Sequence, residues 1–144
     1  MTVQRLLDGK GDFVPEVSYS ATLREAIAQL EVDNVGALVV TDDRRNILGL
    51  LSERDIVRAM KRHGEGIWSR HLSELMTHKV VTCDIGEPLS SILQLMDEHQ
   101  IRHVPITCNG RLCGIINILD VIKYRLQEID AEAKALKAYV AGHA

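Results

Sequence analysis

The sequence predicts an α/β fold: two β-α-β-β-α repeats packed with pseudo-twofold symmetry, plus a short N-terminal lead-in and a long C-terminal helix. Three observations predict it. The first is an internal repeat. Leu23, Ala26, Ile27, Leu30, Val35, Leu38 and Val40 return 66 positions later as Leu89, Ile92, Leu93, Met96, Ile101, Val104 and Ile106. With the offset reduced to 65, Gly49, Leu50, Leu51, Asp55, Ile56 and Val57 return as Gly114, Ile115, Ile116, Asp120, Val121 and Ile122. The second is that apolar spacing within each copy switches between helical and strand periods. The third is composition: 46% of residues are apolar, with 1 Trp, 3 Tyr and 1 Phe, so the core must be aliphatic. A chain of 144 residues suits one domain, or two small ones sharing a core.

Residues 1–13 read as an amphipathic lead-in carrying Val3, Leu6 and Leu7, followed by a Gly-rich turn. The first repeat takes residues 14–63. Residues 14–17 open it, and Thr22 with Glu25 forms a capping box for a helix bearing Leu23, Ala26, Ile27 and Leu30. Asn34 and Gly36 break that helix. Ala37 to Thr41 is a short run rich in β-branched residues, hence a strand; residues 42–46 are a polar turn and residues 47–51 a second strand. The next helix begins at Ser52, with Ile56, Val57 and Met60 expected on its buried face, and stops at His63 and Gly64.

Residues 64–79 link the copies, and the second repeat takes residues 80–126. Residues 80–82 match the opening of the first copy. Pro88 is expected at the first helical position, where its missing N–H costs nothing, ahead of Leu89, Ile92, Leu93 and Met96. Residues 104–107, an Asn109-Gly110 turn and residues 112–116 predict a hairpin. A last helix starts near Asn117 and runs to about Val140. Its extension, residues 127–144, keeps Ile129, Ala133, Leu136 and Val140 on a narrow apolar stripe, too narrow for a membrane helix and fit for an interaction face.

The net charge of −3 gives no pull toward nucleic acid or an anionic membrane. No apolar run approaches the roughly 18 residues of a membrane span, and the N-terminus lacks the features of a signal peptide. Three cysteines without a C-x-x-C pair suit a reducing compartment. These features predict a cytoplasmic protein with no nucleic-acid or membrane partner. No nucleophile has an adjacent base, and there is no G-x-S-x-G, P-loop or G-x-G-x-x-G, so an enzyme is not expected. His99, His103, Cys108 and Cys113 share one stretch, but their spacing matches no zinc pattern, so no metal is expected. Trp68, alone in the linker, reads as packing.

Chemistry is sought in the polar part of the repeat, because burial does not explain a duplicated acid. Gly49-Leu50-Leu51-Ser52-Glu53-Arg54-Asp55 and Gly114-Ile115-Ile116-Asn117-Ile118-Leu119-Asp120 share one plan: Gly, two aliphatics, a capping residue, two variable positions, Asp. Ser52 and Asn117 are good N-caps, and Asp55 and Asp120 at N3 suit the helix dipole, so capping alone is one reading. The other is ligand binding. A strand end with a small Gly, feeding a helix N-terminus, cradles phosphate, and a nearby acid accepts from a ribose diol. Arg54 and Arg58 flank the first acid; Arg102 and His103 head a strand of the second repeat.

These marks, with Ile101-Arg102-His103-Val104-Pro105-Ile106, resemble a tandem pair of cystathionine-β-synthase (CBS) domains, a Bateman module, over roughly residues 14–125. The resemblance implies a regulatory ligand, an adenine nucleotide such as AMP, ATP or NAD(H), with no metal. It implies that Asp55 and Asp120 hold ribose, with Ser52, Asn117 and Arg54 beside them. Residues 14–17 and 80–82, with Val17, Val81 and Thr82, meet adenine through backbone. Gly36 and Ala37 are the small residues permitting close approach, and Arg102 and His103 reach phosphate. The copies differ at Asn117 against Ser52 and Leu119 against Arg54, so the two sites are not equivalent. The expected function is sensing of such a ligand and signalling to an effector protein; the alternative is a dimerisation or interaction module with empty clefts. A homodimer is expected in either case.

Overall fold

The computed structural model describes residues 1–11 and 13–143. The first repeat contains β1 (Glu16–Ser18), α2 (Leu23–Asp33), β2 (Ala37–Thr41), β3 (Ile47–Ser52) and α3 (Glu53–His63), preceded by α1 (Val3–Lys10). A 3-10 turn at Gly64–Ser69 and the short α4 (Leu72–Leu75) follow. The second repeat contains β4 (Cys83–Asp84), α5 (Leu89–His99), β5 (His103–Cys108), β6 (Arg111–Asn117) and α6 (Ile118–Gly142). Each repeat forms a three-stranded sheet, ordered β1-β2-β3 and β4-β5-β6. The middle strand is parallel to the first and antiparallel to the third.

The local signals have visible causes. Thr22 Oγ1 accepts the Glu25 N–H at 3.1 Å, one half of the expected capping box. Asn34 and Gln100, both at φ 52°, end α2 and α5 in the left-handed conformation, at matching places in the two copies. Asn109 and Gly110 take φ 53° and 77°, the paired positive values of the tight turn that suits strand twist.

Period-two alternation sorts the strand residues between layers. Leu38, Val40 and Leu51 face the helices of the first repeat, and Val104, Ile106 and Ile116 face those of the second. Val39, Leu112 and Ile115 form a third buried cluster joined by partly buried Val14, Ile47 and Leu50, where one sheet meets the other. The lead segments cross over. Val3, Leu6 and Leu7 of α1 complete the core of the second repeat, while Ile67, Leu72 and Leu75 complete that of the first. Backbone bonds fix this exchange: Val3 N–H donates to Glu87 O at 3.0 Å, and Thr77 N–H to Leu50 O at 2.9 Å.

Two expectations need correction, and the linker has a structure of its own. On α3 the buried residue is Ala59, with Ile56 partly buried, whereas Val57 and Met60 are 65% and 54% exposed. The strip that meets the sheet runs through Ile56 and Ala59, which leaves Met60 on its flank and Val57 on the far side. Pro88, at ψ 156°, is extended and caps α5 instead of starting it. The linker is not a bare connection, since it carries α4 and part of a core.

Candidate functional site

The junction between β3 and α3 is closed by a reciprocal cap. Ser52 N–H and Oγ both donate to Asp55 Oδ2 at 2.9 Å, and Asp55 N–H donates to Ser52 Oγ at 3.2 Å. Asn117 and Asp120 repeat the arrangement: Asn117 N–H reaches Asp120 Oδ2, and Asp120 N–H reaches Asn117 Oδ1, each at 2.9 Å. The capping role of both acids is therefore real, and any further role must use what the cap leaves over. At Asp55 that is Oδ1, which accepts from Thr77 Oγ1 at 3.2 Å.

Beside Asp55 lies a cavity of about 470 Å³ between the repeats. One wall comes from the first repeat, through Gly36, Ser52, Glu53, Arg54, Asp55 and Arg58. The linker adds Thr77, Lys79, Val80 and Val81, and the second repeat adds His99, Gln100, Ile101, Arg102 and His103. Four cations (Arg54, Arg58, Lys79, Arg102) thus face two acids (Glu53, Asp55), a balance that favours an anionic guest. The His103 ring lies across Gly36, where an added Cβ would sit 3.4 Å from its Nε2; a bulkier residue would push the imidazole away. Burial holds the His103 pKa below its ordinary 6.5, against the opposing pull of Glu53 and Asp120.

Of the residues singled out in the sequence, Gly36, Ser52, Arg54, Asp55, Val81, Arg102 and His103 converge on this cavity. Ala37 is buried in the sheet opposite Ser52, Val17 pairs with Val40 in β1, and Thr82 is exposed just before β4. Asn117 and Asp120 lie outside it. There, Asp120 Oδ2 is met by Lys10 Nζ at 2.5 Å, and the same ammonium donates to Ile115 O at 2.8 Å.

Thr77, Lys79, Gln100 and Lys10 were missed in the sequence. A signal existed: Val3, Leu6, Leu7 and Lys10 return 69 positions later as Leu72, Leu75, Met76 and Lys79. The structure bears it out, because Leu7 packs on Gly114 as Met76 packs on Gly49, so closely that a methyl at either glycine would overlap the neighbour. Cys113 is partly buried against the second core and Cys108 is exposed. Among the described residues no group of His, Cys, Asp and Glu is arranged to hold a metal ion. Trp68 packs under the Arg24 guanidinium, 4.4 Å from the ring centroid. No helix of the described residues is long and apolar enough to cross a membrane.

The family described as "CBS domain" matches residues 12–62 and again residues 72–127. A mitochondrial CBS domain-containing protein of Arabidopsis thaliana is 30% identical over 84% of this chain and 61% of its own length. Four of the curated relatives are spanned over 36% to 66% of their lengths. The crystal structure of a CBS-domain containing protein of Agrobacterium tumefaciens is 39% identical, with a TM-score of 0.81 over 86% of this chain and 92% of that one. A CBS domain pair solved with 5′-methylthioadenosine and S-adenosyl-L-methionine, 22% identical, shares the fold at a TM-score of 0.77 over 89% of this chain and 98% of that one. With two matched copies, two equivalent sheets and a cavity between them, this chain belongs to the CBS domain family and carries the domain twice.

Proposed function

We propose that the chain is a regulatory module, not an enzyme, that binds an adenine nucleotide (AMP, ATP or NAD(H)) between its repeats and signals occupancy to an effector protein. One observation carries this reading: Asp55, whose cap leaves Oδ1 to accept from other donors, lines a cavity together with four cations. A carboxylate accepts from ribose hydroxyls, and cations at the far side meet phosphate. In this reading Asp55 and Ser52 hold ribose, the backbone of residues 80–82 meets adenine, and Arg54, Arg58, Arg102 and His103 take phosphate. Calorimetry with AMP, ATP, NADH and S-adenosylmethionine tests it. Binding of at least one is expected; silence from all four at millimolar concentration defeats it in favour of an interaction module.

The phosphate assignment has its own expected results. Arg102→Ala should weaken AMP binding and spare adenosine; equal loss for both would refute it. For His103 the sign follows from burial. Its folded pKa lies below 6.5, so the ring is neutral near pH 7, and acid favours the unfolded chain. A phosphate beside the ring raises that pKa, so binding takes up a proton. AMP affinity should therefore rise as pH falls through the range just below 6.5, and His103→Gln should flatten the profile.

The second part of the proposal is a homodimer. Leu119, Ile122, Leu126, Ile129, Ala133, Leu136 and Val140 follow one another at spacings of 3 and 4 along α6, and Leu119, Ile122, Leu126, Ile129, Leu136 and Val140 are each 48% exposed or more. Val121, buried, lies on the opposite side, so α6 docks on its own body with one face and leaves this seam open. In a parallel pair Arg125 would meet the partner's Asp130, and Glu132 the partner's Lys137, all opposite in charge. Light scattering should show self-association at tens of micromolar, lost on truncation after Gln127. A monomeric full chain would defeat the dimer, and an unchanged dimer in the truncation would defeat the seam.

A further inference from the structure

The two strand-to-helix junctions differ at one side chain that belongs to neither repeated motif. In the first repeat, Thr77 satisfies two acceptors at once: its N–H donates to Leu50 O at 2.9 Å and its hydroxyl to Asp55 Oδ1 at 3.2 Å. The equivalents in the second repeat are Ile115 O and Asp120, and a single ammonium, that of Lys10, reaches Ile115 O at 2.8 Å and, at 2.5 Å, Asp120 Oδ2, the oxygen that also closes the cap. The reason lies in the lead segments. α4 ends at Leu75, so the chain is extended by Thr77 and runs alongside β3. α1 continues helical to Lys10, so Asp8, the counterpart of Thr77, cannot reach Ile115 and would repel Asp120 if it did. The Lys10 side chain folds back instead. Its stem and charge then lie against the carboxylate that the repeat symmetry offers to a second ribose.

We infer that Lys10 is a built-in occupant of the second cleft, so that one chain binds one nucleotide where the repeat provides two acids. This inference rests on the nucleotide-binding reading of the first cleft. It makes Lys10 a residue that sets stoichiometry while touching no ligand in the first site. The position of α1 does not depend on it, because Val3, Leu6 and Leu7 anchor that helix in the core of the second repeat. Removing the ammonium therefore frees Asp120 without releasing the helix.

The test is calorimetric stoichiometry with AMP, and with ATP in parallel, on the full chain. The native protein should bind one nucleotide, with any second event about tenfold weaker or more. Lys10→Ala should add or strengthen a second event by about tenfold, Lys10→Arg should keep it suppressed, and Lys10→Ala with Asp120→Ala should return to one. Two equal events in the native protein, or an unchanged isotherm in Lys10→Ala, overturns the inference and leaves the first-cleft reading standing. No event in the native protein but one in Lys10→Ala overturns the first-cleft reading, and with it the count of one nucleotide per chain, and supports only the part of the inference in which Lys10 blocks the site beside Asp120. Silence from both proteins overturns both.

Discussion

Asp55→Ala should weaken adenine-nucleotide binding by about ten- to a hundredfold, the equivalent of about 1.5–3 kcal/mol for a charged hydrogen-bond acceptor. Asp120→Ala should leave the same affinity nearly unchanged. The two acids make this an internally controlled comparison. Each closes a reciprocal cap at the head of its helix, with bonds of 2.9–3.2 Å at Asp55 and 2.9 Å at Asp120. Each substitution should therefore lower folding stability by a similar amount, about 0.5–2 kcal/mol. They differ in their surroundings: Asp55 lines an open cavity, whereas Asp120 lies outside that cavity and is paired with Lys10. Chemical denaturation and calorimetry on the same pair of variants separate capping from binding. If both lose stability alike and neither loses affinity, the acids are caps and nothing more.

The duplication made most of the fold legible. Alternating residues of β2 and β5 gave away both their period and their layers, because each faces a helix on one side and the opposing sheet on the other. The turn at Asn109-Gly110 and the caps at Ser52 and Asn117 were readable because their chemistry is local. What escaped was non-local. That Leu72 packs in the repeat it follows, and Val3 in the repeat farther along the chain, is a crossing of connections with no local sequence signature. The α3 face was misread because Ile56, Val57 and Met60 are equally apolar, while the small Ala59 is what lets the helix approach the sheet. At the site, the residues on the repeated motif were found. Thr77, Lys79 and Lys10 were not, because they sit on lead segments whose match runs at an offset of 69, not 65 or 66.

Leu72→Ala should be the most damaging of these substitutions to folding, although its position lies in what reads as a linker. The side chain is fully buried and packs with Leu23, Leu38, Val40 and Leu51 in the first core. Truncating such a leucine removes transfer free energy and leaves a cavity, for about 2–5 kcal/mol in total. For a chain of this size that is roughly 3–4 °C in Tm per kcal/mol, so a fall of about 6 °C or more is expected. Leu6→Ala, 5% exposed in α1, should cost a comparable amount through the second core. Val32→Ala, at 80% exposure on α2, should stay within about 0.5 kcal/mol and controls for composition. The crossing of the lead segments adds a qualitative expectation. Each repeat is completed by the segment that leads into the other, and Val39, Leu112 and Ile115 join the sheets directly. Denaturation of the Leu72→Ala chain should therefore remain one transition, shifted to lower denaturant with an unchanged slope. Two resolved transitions would mean that the repeats fold apart, and a loss below about 1 kcal/mol would mean that the linker helix is not part of the core.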